Sequence, residues 1–527
     1  MTEPYLGVPV ANPHLITKLR ADLQAANFTV DKVTALLGPT AAAALHREEI
    51  TPARMVLNWI PSTPLRTLTG LFTLGAAVTA AELDAALPTL GARGAQELGL
   101  VADIPDDDAH HPARLRAVVD LRPYAQQGGP EGDEHWWVAS DLSELVTGKA
   151  LDPEHVLGIG GASATLAGYT IRDHRPRVLD LGTGCGVQAL HALGHAEHII
   201  ATDLSDRALA FAQFNVLLAG AGDRVELRHG SMLEPVAGEL FDLVVSNPPF
   251  VISPPTDGPR YTYRDGGQRG DTLISELVRD VGSVLAPGGV AQFLGNWEIG
   301  PGQDWKQVVG QWLEAAAAAG HHLDGWIVQR EVLDPAQYVE TWLRDGGSSP
   351  ERDRQDWSTR YQEWLTDFQQ RDVDAIGLGV IVLRRAESGR EPLRRLEELT
   401  QPLGEGMGAQ IAADLVAHDF ITVHSHEELL ETHFDVPGSV TQERHYLPGN
   451  TDPSIIQLRQ GGGWRRTVVL DSLLAGFVGA CDGELTAGQI MAGLSAILEL
   501  ELDQVRGQLL PQLTDLVRDG FLIPVAD

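Results

Sequence analysis

Three glycines, one acid and an Asn-Pro-Pro-Phe turn are the residues of this sequence whose types and spacing could do chemistry. Val178–Gly186 reads VLDLGTGCG, with Val178–Leu181 as a short buried strand. Gly182, Gly184 and Gly186 follow at alternate positions, and the apolar run Val187–Leu193 starts a helix. Glycines let the backbone approach a ligand closely, and a helix N-terminus offers free N–H donors. Strand, glycine turn and helix in that order make a nucleotide-type site. Asp203 ends the next strand-like run, HIIATD, 21 residues after Gly182. That is close to the ~20-residue spacing at which a carboxylate meets a ribose diol. Further on, Phe241–Phe250 reads FDLVVSNPPF, a buried strand running into a turn stiffened by two prolines. Taken alone, that turn could be a simple strand terminator.

Taken together, these motifs resemble the class I S-adenosylmethionine-dependent methyltransferases. Within them the sequence resembles the group with Asn/Asp-Pro-Pro-Tyr/Phe that methylates planar nitrogens: HemK-like protein-glutamine enzymes, adenine-N6 enzymes and small-domain ribosomal RNA enzymes. The resemblance covers about residues 156–385. It implies S-adenosylmethionine as cofactor, with the backbone of Gly182, Gly184 and Gly186 against it. Asp180 would hold its methionine amino end, Asp203 its ribose, and Leu204, Ser231 and Met232 would lie near the adenine. Ser231-Met232 stands where HemK-like enzymes often carry an acid. At the acceptor, Asn247 and the Pro248 carbonyl would orient the amine on a loop held by Pro249, and Phe250 would stack on it. Gly160, Gly161 and Ser163 precede the first strand, where related enzymes close over the cofactor.

Arg260, Tyr261, Tyr263 and Arg264 follow the turn as a basic and aromatic patch, a composition that stacks bases and contacts phosphate. Loop packing or peptide contact would use the same residues. The expected acceptor is an RNA base amino group (adenine or guanine). Protein-glutamine methylation, tailoring of a small molecule or peptide, and a catalytically silent scaffold are the alternatives. The expected partner is accordingly RNA or a basic protein.

The whole chain bounds these readings. It has 527 residues, with 39 basic against 72 acidic, a net charge of −33. That balance disfavours general nucleic-acid binding, which needs clustered cations, and draws basic partners. Two cysteines, Cys185 and Cys481, provide neither a disulfide scaffold nor a cysteine zinc site and fit a reducing, cytoplasmic compartment. No metal is expected. No signal peptide is expected at the N-terminus, and no apolar run reaches the ~18 residues that span a bilayer.

The elements that must position these residues follow from periodicity. Residues 1–100 read as a helical, winged-helix-like domain, with Thr79 capping a helix over Ala80–Leu87. Residues 101–155 read as linker and β segment, within which Trp136 and Trp137 are core residues of one strand. Residues 156–385 alternate strand and helix, an α/β, Rossmann-like doubly wound sheet. Its last two strands, Trp326–Glu331 and Ala375–Arg384, form an antiparallel pair around a helical insertion, 335–371. That insertion is either a small aromatic core or a lid. Residues 386–450 read as a second linker, and 451–527 as a winged-helix-like C-terminal domain.

Overall fold

The central strands run β1 (Arg175–Leu181), β2 (Ala196–Asp203), β3 (Val225–His229) and β4 (Phe241–Ser246). They continue with β5 (Leu285–Ile299), β6 (Leu323–Leu333), β7 (Ala375–Arg385) and β8 (Arg394–Glu398). The structure is a computed structural model. It describes residues 7–104, 114–129, 132–148, 151–255, 264–265, 268–386 and 390–525. The eight strands form one sheet in the order 8-6-7-5-4-1-2-3. β1 to β5 pair in parallel, while β7 lies antiparallel to both β5 and β6. Strand order reverses at β1, so the loops leaving β1 and β4 open side by side at the carboxyl edge, where such sheets bind ligands. This is the expected doubly wound architecture. Strand β8 carries it past residue 385, where the sequence had placed the domain's end.

The helices are α1 (Val187–Ala192), α2 (Asp206–Ala219), α3 (Thr272–Asp280) and α4 (Trp305–Ala318), then α5 (Pro335–Asp345) and α6 (Arg354–Gln370) of the insertion. Their ends are written locally. Ser205 caps α2 by accepting the Ala208 N–H, and Gly220 ends it with φ +82°. Asp334 caps α5 ahead of Pro335, a residue already shaped for a first helical turn.

The N-terminal residues are not a separate domain joined by a linker. Helices Pro13–Ala25, Val30–Leu45, Thr51–Trp59 and Ala80–Ala86 lead into a hairpin, Asp120–Gly129 with Gly132–Ser140. Thr79 and Glu82 close a reciprocal capping box, as the sequence predicts. One hydrophobic core joins Leu19, Phe28 and Phe72 to Trp136 and Trp137 of the hairpin and to Phe211 and Phe214 of α2. The described residues of 7–167, 174–386 and 394–397 therefore form one compact unit. Asn215, fully buried on α2, fastens the hairpin to the glycine turn. Its Oδ1 accepts Ala139 N–H (2.7 Å), and its Nδ2 donates to the carbonyls of Ala139 and Cys185 (2.8 Å each).

The second unit comprises residues 168–173, 389–393 and 398–527. It holds a three-stranded antiparallel sheet (Val440–His445, Ile455–Gln460 and Thr467–Leu470) and the helices Ser472–Val478, Ala487–Leu498 and Leu502–Arg518. The stretch 386–450 is not a linker either. Its helix Met407–Val423 buries Ile411 and Leu415, and Asp414 accepts the Trp464 indole N–H at 3.0 Å. Glycines at 404, 406 and 408 around its start hide that helix from periodicity. Among the described residues no helix is long and apolar enough to cross a membrane, and no cluster of His, Cys, Asp or Glu is built to hold a metal ion.

Replacing Asn215 with leucine leaves two carbonyls and one N–H of the Ala139 and Cys185 backbone without partners. Each such group costs roughly 1–3 kcal/mol, less than additively. We expect a stability loss of about 3 kcal/mol for Asn215→Leu, measured by urea unfolding.

Candidate active site

The turn after β1 is held from beneath by two carboxylates. Asp180, 1% exposed, accepts Thr183 Oγ1–H (2.5 Å) and Ala189 N–H (2.9 Å) on Oδ2. Asp203 accepts Gly184 N–H on Oδ2 and Ser205 N–H on Oδ1, both at 2.9 Å. The Thr202 carbonyl takes the N–H groups of Gly182 (2.9 Å) and Thr183 (2.8 Å), so β2 supports the turn along its length. Gly182 (φ +72°) and Gly184 (φ +56°) need the left-handed region, and a Cβ on either would meet nothing within 4 Å. Both therefore present bare backbone to open space. Gly186 also needs the left-handed region (φ +91°), and its Cβ would meet Ala212 Cα of α2 at 3.4 Å, an ordinary contact, so it faces α2 where the other two face open space.

Burial pushes the Asp180 carboxyl up to about 7 against the pull of its two donors. Burial also raises that of Asp203, against its backbone donors. Asp180 Oδ1 has no hydrogen-bond partner.

Above the turn lies a cavity of about 290 Å³. Gly182, Gly184, Asp203, Leu204, Ser231 and Met232 line it on one side, and Asn247, Pro248 and Pro249 on the other. Ser246 brings the two sides together by donating to the Leu181 carbonyl at 2.7 Å, which ties the end of β4 to the end of β1. Asn247 Oδ1 is buried and has no hydrogen-bond partner. Asn247 thus lines the cavity with its carboxamide oxygen unsatisfied by the protein.

Four expected residues stand elsewhere. Asp180 and Gly186 lie under the turn and shape it, and neither lines the cavity. Phe250 turns away from the cavity to meet Trp342 edge-on, with ring centroids 5.9 Å apart. The Arg264 side chain is 2% exposed, 3.1 Å from Asp265 and 3.6 Å from Asp345, so it does not extend a surface patch for phosphate. Arg260, Tyr261 and Tyr263 lie outside the described residues. Ser163 lines the cavity; Gly160 and Gly161 do not.

One wall went unforeseen. Glu154, His155, Val156, Leu157 and Gly158 line the cavity from the chain entering the central domain. Asp141 holds them there, accepting Val156 N–H (2.8 Å) while paired with Arg207 on α2. The only trace in the sequence is Asp141 itself, a charge closing the apolar strand HWWVASD.

Residues 159–323 match the family described as "Methyltransferase small domain". Over these residues the central domain is a methyltransferase domain and is similar to the HemK-like class I enzymes. Residues 25–112 match a "Domain of unknown function (DUF7059)". The chain is similar to a release factor glutamine methyltransferase of Deinococcus radiodurans, 38% identical over 128 residues, which is 22% of this chain and 45% of that protein. It is similar to a ribosomal protein uL3 glutamine methyltransferase of Bradyrhizobium diazoefficiens (34% over 152 residues; 27% and 46%). It is also similar to a ribosomal protein L11 methyltransferase of Shouchella clausii (31% over 169 residues; 31% and 52%). The chain thus spans about half the length of the curated relatives it matches.

The cofactor of the methyltransferase domain is S-adenosylmethionine. The residues fit it. Gly182 and Gly184 form a cradle that a Cβ would fill, Asp203 stands at the ribose spacing, and the raised carboxyls favour a cationic ligand carrying a sulfonium and an ammonium.

A cation above the turn favours ionised Asp180, so cofactor binding releases a proton. Affinity for S-adenosylmethionine should rise several-fold from about pH 6 to about pH 8, as the Asp180 carboxyl ionises at about 7. Without cofactor the sign reverses for stability. An acid held above its unfolded value retains its proton in the fold, so stability declines as pH climbs from the unfolded carboxyl range through about 7. Calorimetric titration checks the binding half, with Asp180→Asn expected to flatten the pH profile. Asp203→Ala should weaken binding at every pH.

Proposed function

We propose that this protein transfers the methyl group of S-adenosylmethionine to the amide nitrogen of a protein side chain, glutamine above all. The observation that carries this reading is Asn247 Oδ1, a buried, unpartnered acceptor on the cavity wall beside the glycine turn. An amide NH₂ supplies two N–H donors, and Asn247 Oδ1 with the Pro248 carbonyl gives each of them an acceptor.

The cofactor contributes an activated methyl on a sulfonium. The chain's residues do the rest by positioning. Holding both N–H groups turns the nitrogen lone pair out of conjugation and toward the methyl, and the proton leaves to water once the N–C bond has formed. Two prolines and the Ser246 bond keep Asn247 from following thermal motion. Such placement is worth large effective concentrations, of the order of 10⁵ M or more in well-oriented systems.

Several observations favour protein over RNA. Among the described residues the cavity is lined by Glu154, Asp203 and Asp265 and by no Lys or Arg. Among the described residues no Phe, Tyr or Trp lines it, whereas recognition of a flipped base relies on stacking. Arg264 is taken up by carboxylates. The net charge of −33 draws basic proteins, and two of the relatives are named as glutamine methyltransferases of a release factor and of a ribosomal protein.

The test is transfer of radiolabelled methyl from S-adenosylmethionine into a lysate of cells lacking this protein, divided by protease and RNase treatment. Label lost to protease and recovered as methylglutamine is the expected result. Label lost to RNase would return the acceptor to an RNA base, and label in neither fraction would leave a small molecule or a silent scaffold. Asn247→Ala should lower transfer by about 100-fold, in the range for removing one preorganised polar group, with cofactor affinity unchanged.

A further inference from the structure

The chain leaving Asn247 is gripped by the helical insertion. Tyr338 of α5 is fully buried. Its hydroxyl accepts the N–H of Ile252 at 2.9 Å and the Asn296 carboxamide N–H of β5 at 2.8 Å. Phe250 sits against Trp342 of the same helix. The returning arm of the loop is fastened there too. Val251 N–H donates to the Arg264 carbonyl at 3.1 Å, and the Arg264 guanidinium donates to the Trp342 carbonyl at 2.5 Å. Val251, Ile252, Tyr338, Trp364 and Phe368 belong to one hydrophobic core.

We propose that α5 is a fixed brace for the acceptor side of the site, and that Tyr338 is a positioning residue acting on Asn247 through Ile252. The path is short and stiff. Pro248 and Pro249 fix their φ angles, Phe250 is wedged against Trp342, and the next two residues are tied to Arg264 and Tyr338. A lid would need a surface that separates cheaply. Lifting α5 would expose Tyr338, Trp364 and Phe368 and would take from the buried Ile252 N–H its Tyr338 acceptor and from Arg264 the Trp342 carbonyl and Asp345. The insertion therefore sets where Asn247 stands and does not open over it. This inference rests on Asn247 as the group that orients the acceptor.

The experiment pairs Tyr338→Phe with Phe368→Leu. The second residue packs on the Tyr338 ring (5.8 Å between centroids) but gives the loop no hydrogen bond. Three measurements are made on the full chain: hydrogen exchange of the peptide spanning residues 244–254, calorimetric affinity for S-adenosylmethionine, and the rate of radiolabelled methyl transfer into the same lysate. Tyr338→Phe should speed exchange in that peptide and lower the transfer rate at saturating cofactor about 10-fold, with affinity within a factor of about two. Phe368→Leu should lower the melting temperature with both exchange and rate near wild type. Wild-type exchange in Tyr338→Phe overturns the brace. Equal loss of rate in both variants reduces Tyr338 to core packing. If the wild-type chain labels nothing, the proposed function falls while the exchange comparison still decides the brace.

Discussion

The turn between β1 and α1 runs over two buried carboxylates, and the rest of the site takes its place from them. Backbone at Gly182 and Gly184 can be bare and left-handed only because Asp180 ties Thr183 to the start of α1 and Asp203 ties Gly184 to β2. Burial raises both carboxyls against the pull of their N–H and O–H donors, most strongly that of Asp180. Ser246 then measures off the second half of the site from the first, because its bond to Leu181 sets β4 beside β1 at the point where Asn247 begins.

The N-terminal residues belong to this arrangement physically. Asn215 reaches from α2 to the hairpin on one side and to the Cys185 carbonyl, inside the glycine turn, on the other. Trp137 donates its indole N–H to Phe28, so the first helices are stitched to the same hairpin. Asp141, where the hairpin ends, pairs with Arg207 and places the wall from Glu154 to Gly158. The domain of unknown function and the methyltransferase domain thus share a core. A change at Phe28 or Phe72 would reach the cofactor wall through packed side chains and buried hydrogen bonds.

What was legible in the sequence follows from which forces are local. Val178–Leu181 and Phe241–Ser246 are mainly apolar runs, interrupted by Asp180 and Asp242, of the kind a strand buried on both faces needs, and α2 carries its own cap and its own terminating glycine. Glycine spacing and the double proline constrain their own backbone, so Gly182, Gly184, Asn247, Pro248 and Pro249 could be placed without tertiary knowledge. The misplaced residues are those whose role is fixed by a distant partner. Arg264 reads as a surface cation until Asp345, 81 positions later, comes to face it. Phe250 reads as a stacking ring until Trp342 takes its edge. The wall at 154–158 depends on Asp141 and Arg207, which no periodicity connects. Residues 386–450 read as a linker because glycine and proline break the pattern around a helix whose stability comes from packing.

The orientation of Phe250 bears on the choice of acceptor. A planar base offers a wide face, and a site for it gains much of its affinity from an aromatic ring laid against that face. Here the ring next to the acceptor turn is spent on Trp342, and the described cavity wall offers carboxylates, aliphatic and amide side chains, His155 and the unpartnered carboxamide oxygen of Asn247. An amide needs less. Its planar area is small, and its two N–H groups are satisfied by Asn247 and a neighbouring carbonyl. Whatever affinity the small group lacks must then come from the rest of the acceptor molecule. A chain with 33 excess negative charges is suited to supply that to a basic protein through long-range attraction. Under the proposed function the division of labour is consistent: the cavity would recognise a small neutral amide by geometry, and the acidic surface would draw the large basic body that carries it.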